Sequence, residues 1–181
     1  MMKIKHCLLL LFPVVLTAST ALSKLRTEKE KWYLLHTSGY SISYPMAWVA
    51  DTSSHYMGTD FILYAPAENR KDAFRTNIRL VRVAADKKTN TLEDFALKYI
   101  RETGKTARDM KLISSGATSH ATAGAWKCSY ECRESTFMLH HTQWCFLHKQ
   151  EFYVLTFSAE KSHYAQYEAM AVKIINSFVL K

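Results

Sequence analysis

Four segments with the residue pattern of β-strands follow one another between two helical segments, and this order constrains the fold more than any other feature. Strands that come in a group, rather than alternating with helices, favour an antiparallel sheet covered by helices. The sequence therefore predicts the α+β class, with an antiparallel β-sheet packed by helices. The strand candidates are Lys111–Ser115, Ala125–Cys132, Phe137–Leu147 and Phe152–Phe157.

The two flanking helices each show an apolar stripe at helical spacing. Thr91, with Asp94 three residues later, resembles a capping box that begins the first helix, which we expect to end near Gly104. The second helix is predicted from about Ser162 to Phe178. Apolar residues three and four positions apart face one side of such a helix, as expected for a helix that covers a sheet.

Shorter strands are predicted before the first helix. Trp32–His36 and Tyr40–Tyr44 are separated by a short polar turn, a pattern typical of a β-hairpin. Asn77–Ala84 alternates, but its apolar positions change parity between Leu80 and Val81. An extra residue in a strand moves side chains to the other face, so this change predicts a β-bulge within the segment.

The first 21 residues have the layout of a secretory signal peptide. Two lysines precede an apolar run, Cys7–Leu16, and small residues follow it. The run is shorter than the roughly 20 apolar residues that a transmembrane helix needs. We therefore expect a protein that is exported and soluble, periplasmic or secreted, after cleavage behind Ala21, with Ser19 and Ser23 as alternative sites. An uncleaved membrane anchor is the alternative interpretation.

This interpretation divides the chain into a signal peptide (1–21), an N-terminal lead-in with the first strand (22–39) and one domain (40–181). Removal of the signal peptide takes away two lysines and leaves 22 basic against 16 acidic residues, a formal charge of +6. A chain of about 160 residues is long enough for a single domain with a hydrophobic core.

Four basic residues near the end of the first helix form a candidate rim of positive charge. Glu102 and Asp109 lie among them, so ordinary solvated charge is the alternative interpretation. A real rim would suit an anionic membrane surface or an acidic partner protein, and no aromatic nucleic-acid-binding motif accompanies it. The four residues are Arg101, Lys105, Arg108 and Lys111.

The segment Tyr40–Trp48 resembles the opening pattern Y-S-I-x-Y-P-x-x-W of the PsbP/DcrB-like proteins. Later segments agree in order, from Phe61–Pro66 through Tyr153–Phe157 to Asn176–Phe178. The resemblance implies a PsbP-like fold and an exported accessory protein of the cell envelope or extracellular space, non-enzymatic and without a cofactor, that acts through protein–protein contacts. The matched positions are packing and turn residues, so no binding residue is transferred from the family.

Three cysteines follow the predicted signal peptide. Cys128 and Cys132 alternate with polar residues, so both face the apolar side of one strand, about 13 Å apart, whereas a disulfide needs Cα atoms within about 7 Å. A turn at residues 133–135 would place Cys145 near residues 122–123. Two interpretations stay open: three buried free thiols, or one disulfide from Cys145 to either of the others.

His140 and Cys145 offer ligand types that zinc or copper takes, so a metal-binding or metal-carrier protein is a second hypothesis for function. Adjacent strand residues point to opposite faces, so His140 and His141 cannot both bind one ion, and structural or solvent-facing histidines are the alternative. A third hypothesis is a Cys/His-dependent enzyme, with Cys128 or Cys145 beside His140. The sequence contains no nucleophile elbow or glycine-rich phosphate loop, so we expect no enzyme.

Overall fold

The structure is a computed structural model that describes residues 30–53, 58–67, 74–85, 91–120 and 123–181. The predicted signal peptide and residues 22–29 of the predicted lead-in lie outside the described residues. Within the described ranges, neither helix combines the length and the apolar character that crossing a bilayer requires.

The described residues form ten strands and two helices, and every strand pair among them is antiparallel. This arrangement confirms the predicted α+β class. Helix α1 spans Leu92–Thr106 and helix α2 spans Tyr164–Asn176. The strands are β1 (Trp32–His36), β2 (Tyr40–Pro45), β3 (Val49–Asp51), β4 (Thr59–Tyr64), β5 (Asn77–Ala84), β6 (Arg108–Ser119), β7 (Gly124–Glu134), β8 (Phe137–His148), β9 (Glu151–Glu160) and β10 (Val179–Leu180).

Seven of these strands form the main sheet, in the order β3-β4-β5-β9-β8-β7-β6, and a small sheet has the order β1-β2-β10. Helix α1 packs on one face of the main sheet, against β6, β7 and β8. Helix α2 contacts β9 and β2, so it lies with the small sheet over the other face. Strand β9 is consequently buried without interruption from Phe152 to Ala159.

Each face of the main sheet has its own apolar core. The core on the α2 side includes Trp48, Phe61 and Phe178. The core on the α1 side includes Phe95 of the helix and Phe152 of β9, whose rings stack with centroids 3.7 Å apart. The sheet therefore forms the middle layer of the domain, between two cores.

Helix α1 begins where the capping box predicts. The Asp94 backbone N–H donates to the Thr91 hydroxyl oxygen at 3.0 Å, and the Thr91 hydroxyl donates to the Asp94 carboxylate at 2.8 Å. The helix continues past Gly104 to Thr106, because the Ala107 N–H still bonds to a carbonyl of the last turn. The predicted end near Gly104 was therefore too early.

The other predicted elements differ from the observed ones mainly in length. Strands β1 and β2 confirm the predicted hairpin. The strand predicted at Lys111–Ser115 belongs to the longer β6, which begins at Arg108. Helix α2 ends at Asn176, two residues before the predicted end at Phe178, whose side chain is buried in the core on the α2 side.

The bulge predicted within β5 is not there. Strand β5 pairs with β9 in an unbroken register, and the register shift lies in the neighbouring β4, between Thr59 and Phe61. Leu80 and Val81 are both buried because they face opposite cores. The change of parity therefore marks a strand that is covered on both faces rather than an extra residue.

The double cover of β9 leads to a stability prediction. Leu155→Ala removes a fully buried side chain from the middle of the sheet, and we expect the free energy of unfolding to fall by about 2–5 kcal/mol. The matched control is Leu147→Ala on β8, where the residue is 41% exposed and the loss should stay below about 1 kcal/mol. Urea unfolding measures both, and equal losses would contradict the layered packing.

Candidate functional site

The three cysteines all lie buried and unbridged in the core on the α1 side. Burial raises the pKa of each thiol: that of Cys132 to about 11, and that of Cys145 well above its usual range. Burial also raises the pKa of Cys128, although a contact with the Ser115 hydroxyl at 3.3 Å works in the opposite direction. At neutral pH these thiols are protonated and therefore poor nucleophiles.

Cys145 lies opposite Trp126 and diagonal to Cys128, so the predicted position near residues 122–123 was wrong. The reason is the turn between β7 and β8. Glu134 pairs with Phe137, which leaves only two residues in the turn, whereas the prediction assumed a turn at residues 133–135. The register of the whole hairpin shifts with it.

The metal-site candidates His140 and Cys145 lie on opposite faces of the main sheet. His140 faces α2, where its ring stacks on Tyr164 with centroids 3.7 Å apart and its Nε2 lies 2.8 Å from the Ser129 hydroxyl. Cys145 faces α1. His140 and Cys145 are five positions apart on β8, an odd separation that puts their side chains on different faces of the strand, so they cannot share an ion.

A different set of potential ligands converges on the α1 face. One donor atom from each of Cys132, Glu134 and His141 lies within 4.8 Å of the other two. Cys132 and Glu134 are two residues apart on β7, so they share a face. The partner of His141 across the hairpin is Tyr130, which places His141 diagonally next to Cys132. We call these three residues the Cys–Glu–His cluster.

His141 is the most buried polar member of this cluster, at 4% exposure. Its Nδ1 lies 2.8 Å from the Ser158 hydroxyl, and its ring stacks on Tyr130 with centroids 4.9 Å apart. Its Nε2 has no hydrogen-bond partner among the described residues, and the nearest carboxylate oxygen, on Glu134, is 3.4 Å away. This contact holds the pKa of the Glu134 carboxyl below its usual value.

A cavity of about 220 Å³ opens beside the cluster, between α1 and the main sheet. Glu134, His141 and Arg79 form part of its wall. The Gln143 side chain is buried there and donates to the hydroxyls of Tyr130 and Thr156, each at 3.3 Å. The cavity is polar and large enough for several water molecules or a small polar ligand.

The candidate basic rim is exposed, but it carries charge of both signs. Lys105 pairs with Glu102 at 2.6 Å, and Asp109 pairs with Arg133 at 2.9 Å. Two of the four residues lie on α1 and two at the start of β6. The four are Arg101, Lys105, Arg108 and Lys111.

The sequence interpretation did not identify the most exposed apolar surface, on β1. Trp32, Tyr33 and Leu34 follow one another there and are 37, 49 and 64% exposed. Within the described residues, β1 pairs with β2 alone, in a register without shifts. Among the described residues, one edge of β1 therefore has no strand partner and presents its backbone donors and acceptors beside large apolar side chains. The signal available in the sequence was the run Trp-Tyr-Leu-Leu in the first strand of the chain.

The sequence model of the PsbP family matches residues 31–180. The α+β fold and this match together confirm the resemblance to PsbP-like proteins. The chain belongs to the PsbP family. No curated protein matches the sequence.

Solved structures share the fold at low sequence identity. The chain is similar to the cyanobacterial PsbP (CyanoP) of Synechocystis sp. PCC 6803, with a TM-score of 0.63, 12% identity and coverage of 86% of this chain and 96% of that one. It is also similar to LpqN of Mycobacterium tuberculosis, which is involved in cell envelope biogenesis, with a TM-score of 0.60, 10% identity and coverage of 86 and 94%. A third is the protein PA94 of Pseudomonas aeruginosa, with a TM-score of 0.59, 15% identity and coverage of 84 and 97%. These likenesses establish the fold alone.

The buried thiols lead to a prediction about reactivity. With a pKa of about 11, Cys132 carries on the order of 100-fold less thiolate at neutral pH than an exposed cysteine. We expect Cys128, Cys132 and Cys145 to react with a thiol-specific dye only after denaturation. In the denatured protein their reaction should become faster as the pH rises, because more thiolate forms. Mass spectrometry of the labelled peptides measures each site, and rapid labelling of any of the three in the native protein would contradict their burial.

Proposed function

We propose that this PsbP-family protein is an exported, non-enzymatic accessory protein that binds a partner protein of the cell envelope through the free edge of β1. The observation that carries the proposal is the run of exposed side chains from Trp32 to Leu34 along an edge strand. Tryptophan and tyrosine are enriched among the residues that dominate binding energy in protein interfaces.

The geometry of β1 suits the addition of a partner strand. An extended peptide can pair with an exposed sheet edge through backbone hydrogen bonds, while its side chains contact alternate residues of that strand. Trp32 and Leu34 lie on the same face of β1, two residues apart. Tyr33 lies on the other face, where its ring contacts that of Tyr44 with centroids 5.9 Å apart. Trp32 and Leu34 are therefore the side chains available to a partner.

Strand β6, an edge of the main sheet, is built differently from β1, which is an edge of the small sheet. Strand β6 exposes Leu112 and Ile113, at 47 and 48%, but its pairing with β7 contains two register shifts and its first half carries Arg108 and Lys111. Bulges and charged residues are the devices by which proteins protect sheet edges from pairing. Strand β1 lacks a register shift in its pairing with β2, which favours β1 as the docking edge.

Export is supported by the sequence rather than by the described residues. Two lysines, the apolar run and the small residues up to Ala21 follow the order of a cleavable signal peptide. LpqN, which shares the fold, is involved in cell envelope biogenesis, and this agrees with an envelope location.

The non-enzymatic role is supported by the raised pKa of the candidate nucleophiles, the three buried thiols. A catalytic cysteine needs a thiolate that forms near neutral pH, usually beside a base or a positive charge. Burial has the opposite effect on Cys128, Cys132 and Cys145, since it raises the pKa of all three thiols. His140 lies on the other face of the sheet from Cys145, so it cannot serve as the base that the enzyme hypothesis requires.

Partner binding is tested with the double variant Trp32→Ser/Leu34→Ser. Envelope proteins captured by the wild-type protein should be lost, because removal of a central aromatic contact costs about 2 kcal/mol or more, roughly 30-fold in affinity. The matched control is Leu112→Ser/Ile113→Ser, which removes two apolar side chains of similar total exposure from the β6 edge of the main sheet. Quantitative mass spectrometry of the captured proteins measures both variants.

The proposal requires the control to keep the partner that the β1 variant loses. Equal capture by both variants, loss with the control alone, or retention on vesicles of anionic lipid in place of a protein would each contradict docking through β1.

Export is tested by N-terminal sequencing of the protein purified from its own cells. Cleavage behind Ala21 should give a chain that starts at Leu22, and a start at Thr20 or Lys24 would correspond to the alternative sites. Recovery of an intact N-terminus in the cytosolic fraction would contradict export.

A further inference from the structure

The geometry of the Cys–Glu–His cluster points to a binding site for one zinc ion, with ligands from Cys132, Glu134 and His141. This site is separate from β1, and it does not rest on the proposed partner binding. The residues that the sequence suggested as metal ligands, His140 and Cys145, take no part in it.

The positions of the donor atoms fit zinc. Zinc bonds of about 2.0–2.3 Å in tetrahedral geometry place neighbouring ligand atoms about 3.5 Å apart. The Nε2 of His141 and Oε1 of Glu134 are 3.4 Å apart, and the whole cluster lies within 4.8 Å. The remaining separations, at most 4.8 Å, must close by about 1 Å or less, and the Glu134 side chain, which is 57% exposed, is free to adjust its own position.

His141 is prepared to act as a ligand by its second hydrogen bond. In the tautomer that carries the ring proton on Nδ1, the Ser158 hydroxyl can accept that proton, and the Nε2 lone pair is then available to an ion held between His141 and Glu134. Histidine ligands usually hold their other ring N–H in such a bond, which fixes the tautomer and the ring orientation. The stacking of Tyr130 on the ring restricts its orientation further. Nε2 is buried and makes no well-formed hydrogen bond among the described residues, although the Glu134 carboxylate lies 3.4 Å away, and a metal ion bound by both groups would explain this arrangement.

The charges in the cluster suit a divalent cation. When zinc binds, the Cys132 thiol proton passes to solvent and the sulfur binds as a thiolate, so thiolate and carboxylate together balance the charge of the ion. Arg79 on the cavity wall then faces a neutral site rather than an uncompensated cation. Thiolate and imidazole ligands also favour zinc over magnesium and calcium, which take oxygen ligands.

The three ligands leave a fourth position of a tetrahedral ion open toward the cavity. Glu134 and His141 line this cavity, which holds about 220 Å³ between α1 and the main sheet. A water molecule or a small anionic group could complete the coordination, with Arg79 on the cavity wall.

The test is zinc binding to the protein purified from its own cells, measured by competition with a chromophoric chelator under reducing conditions. We expect one zinc per chain, and cobalt in its place should give a sulfur-to-cobalt charge-transfer band. Cys132→Ser and Glu134→Gln should each weaken zinc binding by at least about 10-fold, and Ser158→Ala by roughly 10- to 100-fold. Glu134→Gln alters a half-exposed side chain, so it tests the site without disturbing the core.

The matched control is Cys145→Ser, which changes a buried cysteine on the same face outside the cluster. It should keep the wild-type affinity and the charge-transfer band. Less than half an equivalent of zinc in the wild-type protein would overturn the inference. The inference would also be overturned if the folded Glu134→Gln variant bound zinc with wild-type affinity, or if Cys145→Ser lost as much zinc affinity as the cluster variants.

Discussion

Burial of β8 and β9 on both faces is the constraint from which the rest of the structure follows. With α1 on one side and α2 with the small sheet on the other, every side chain of β9 from Phe152 to Ala159 faces protein. The strands therefore cannot show the simple alternation of a sheet that faces water. The same double cover encloses polar residues, and each of these has to find a hydrogen-bond partner inside the domain.

The polar cavity lies between the second half of α1 and the main sheet. A helix of 15 residues is about 22 Å long, too short to cover seven strands. Its apolar residues pack over Phe152 and the cysteines, and beyond them the sheet presents His141, Gln143 and Ser158. These side chains are bonded to neighbours on adjacent strands, while one atom each of His141 and Gln143 has no partner among the described residues.

Most of the fold could be predicted because its signals are local. The capping box at Thr91 and the alternation of β7 each depend on residues close in sequence. The Cys–Glu–His cluster depends on the register of the β7–β8 hairpin, which is set by a two-residue turn at Ser135, where φ is +55°. This turn was predicted at the wrong residues, so Cys145 was paired with a residue about three positions too early on β7. For the same reason the sequence did not predict that Cys132 and His141 are neighbours. The exposed edge of β1 was missed because strand order in a sheet is a tertiary property.

Residue-resolved hydrogen exchange tests the central claim of a doubly covered sheet most directly. Amides of β8 between Leu139 and Phe146, and of β9 between Phe152 and Phe157, should exchange most slowly, with protection close to the global free energy of unfolding. Amides on the free edge of β1 should exchange much faster. Exchange of the β8 and β9 amides as fast as those of β1 would contradict the arrangement on which the cavity and the cluster depend.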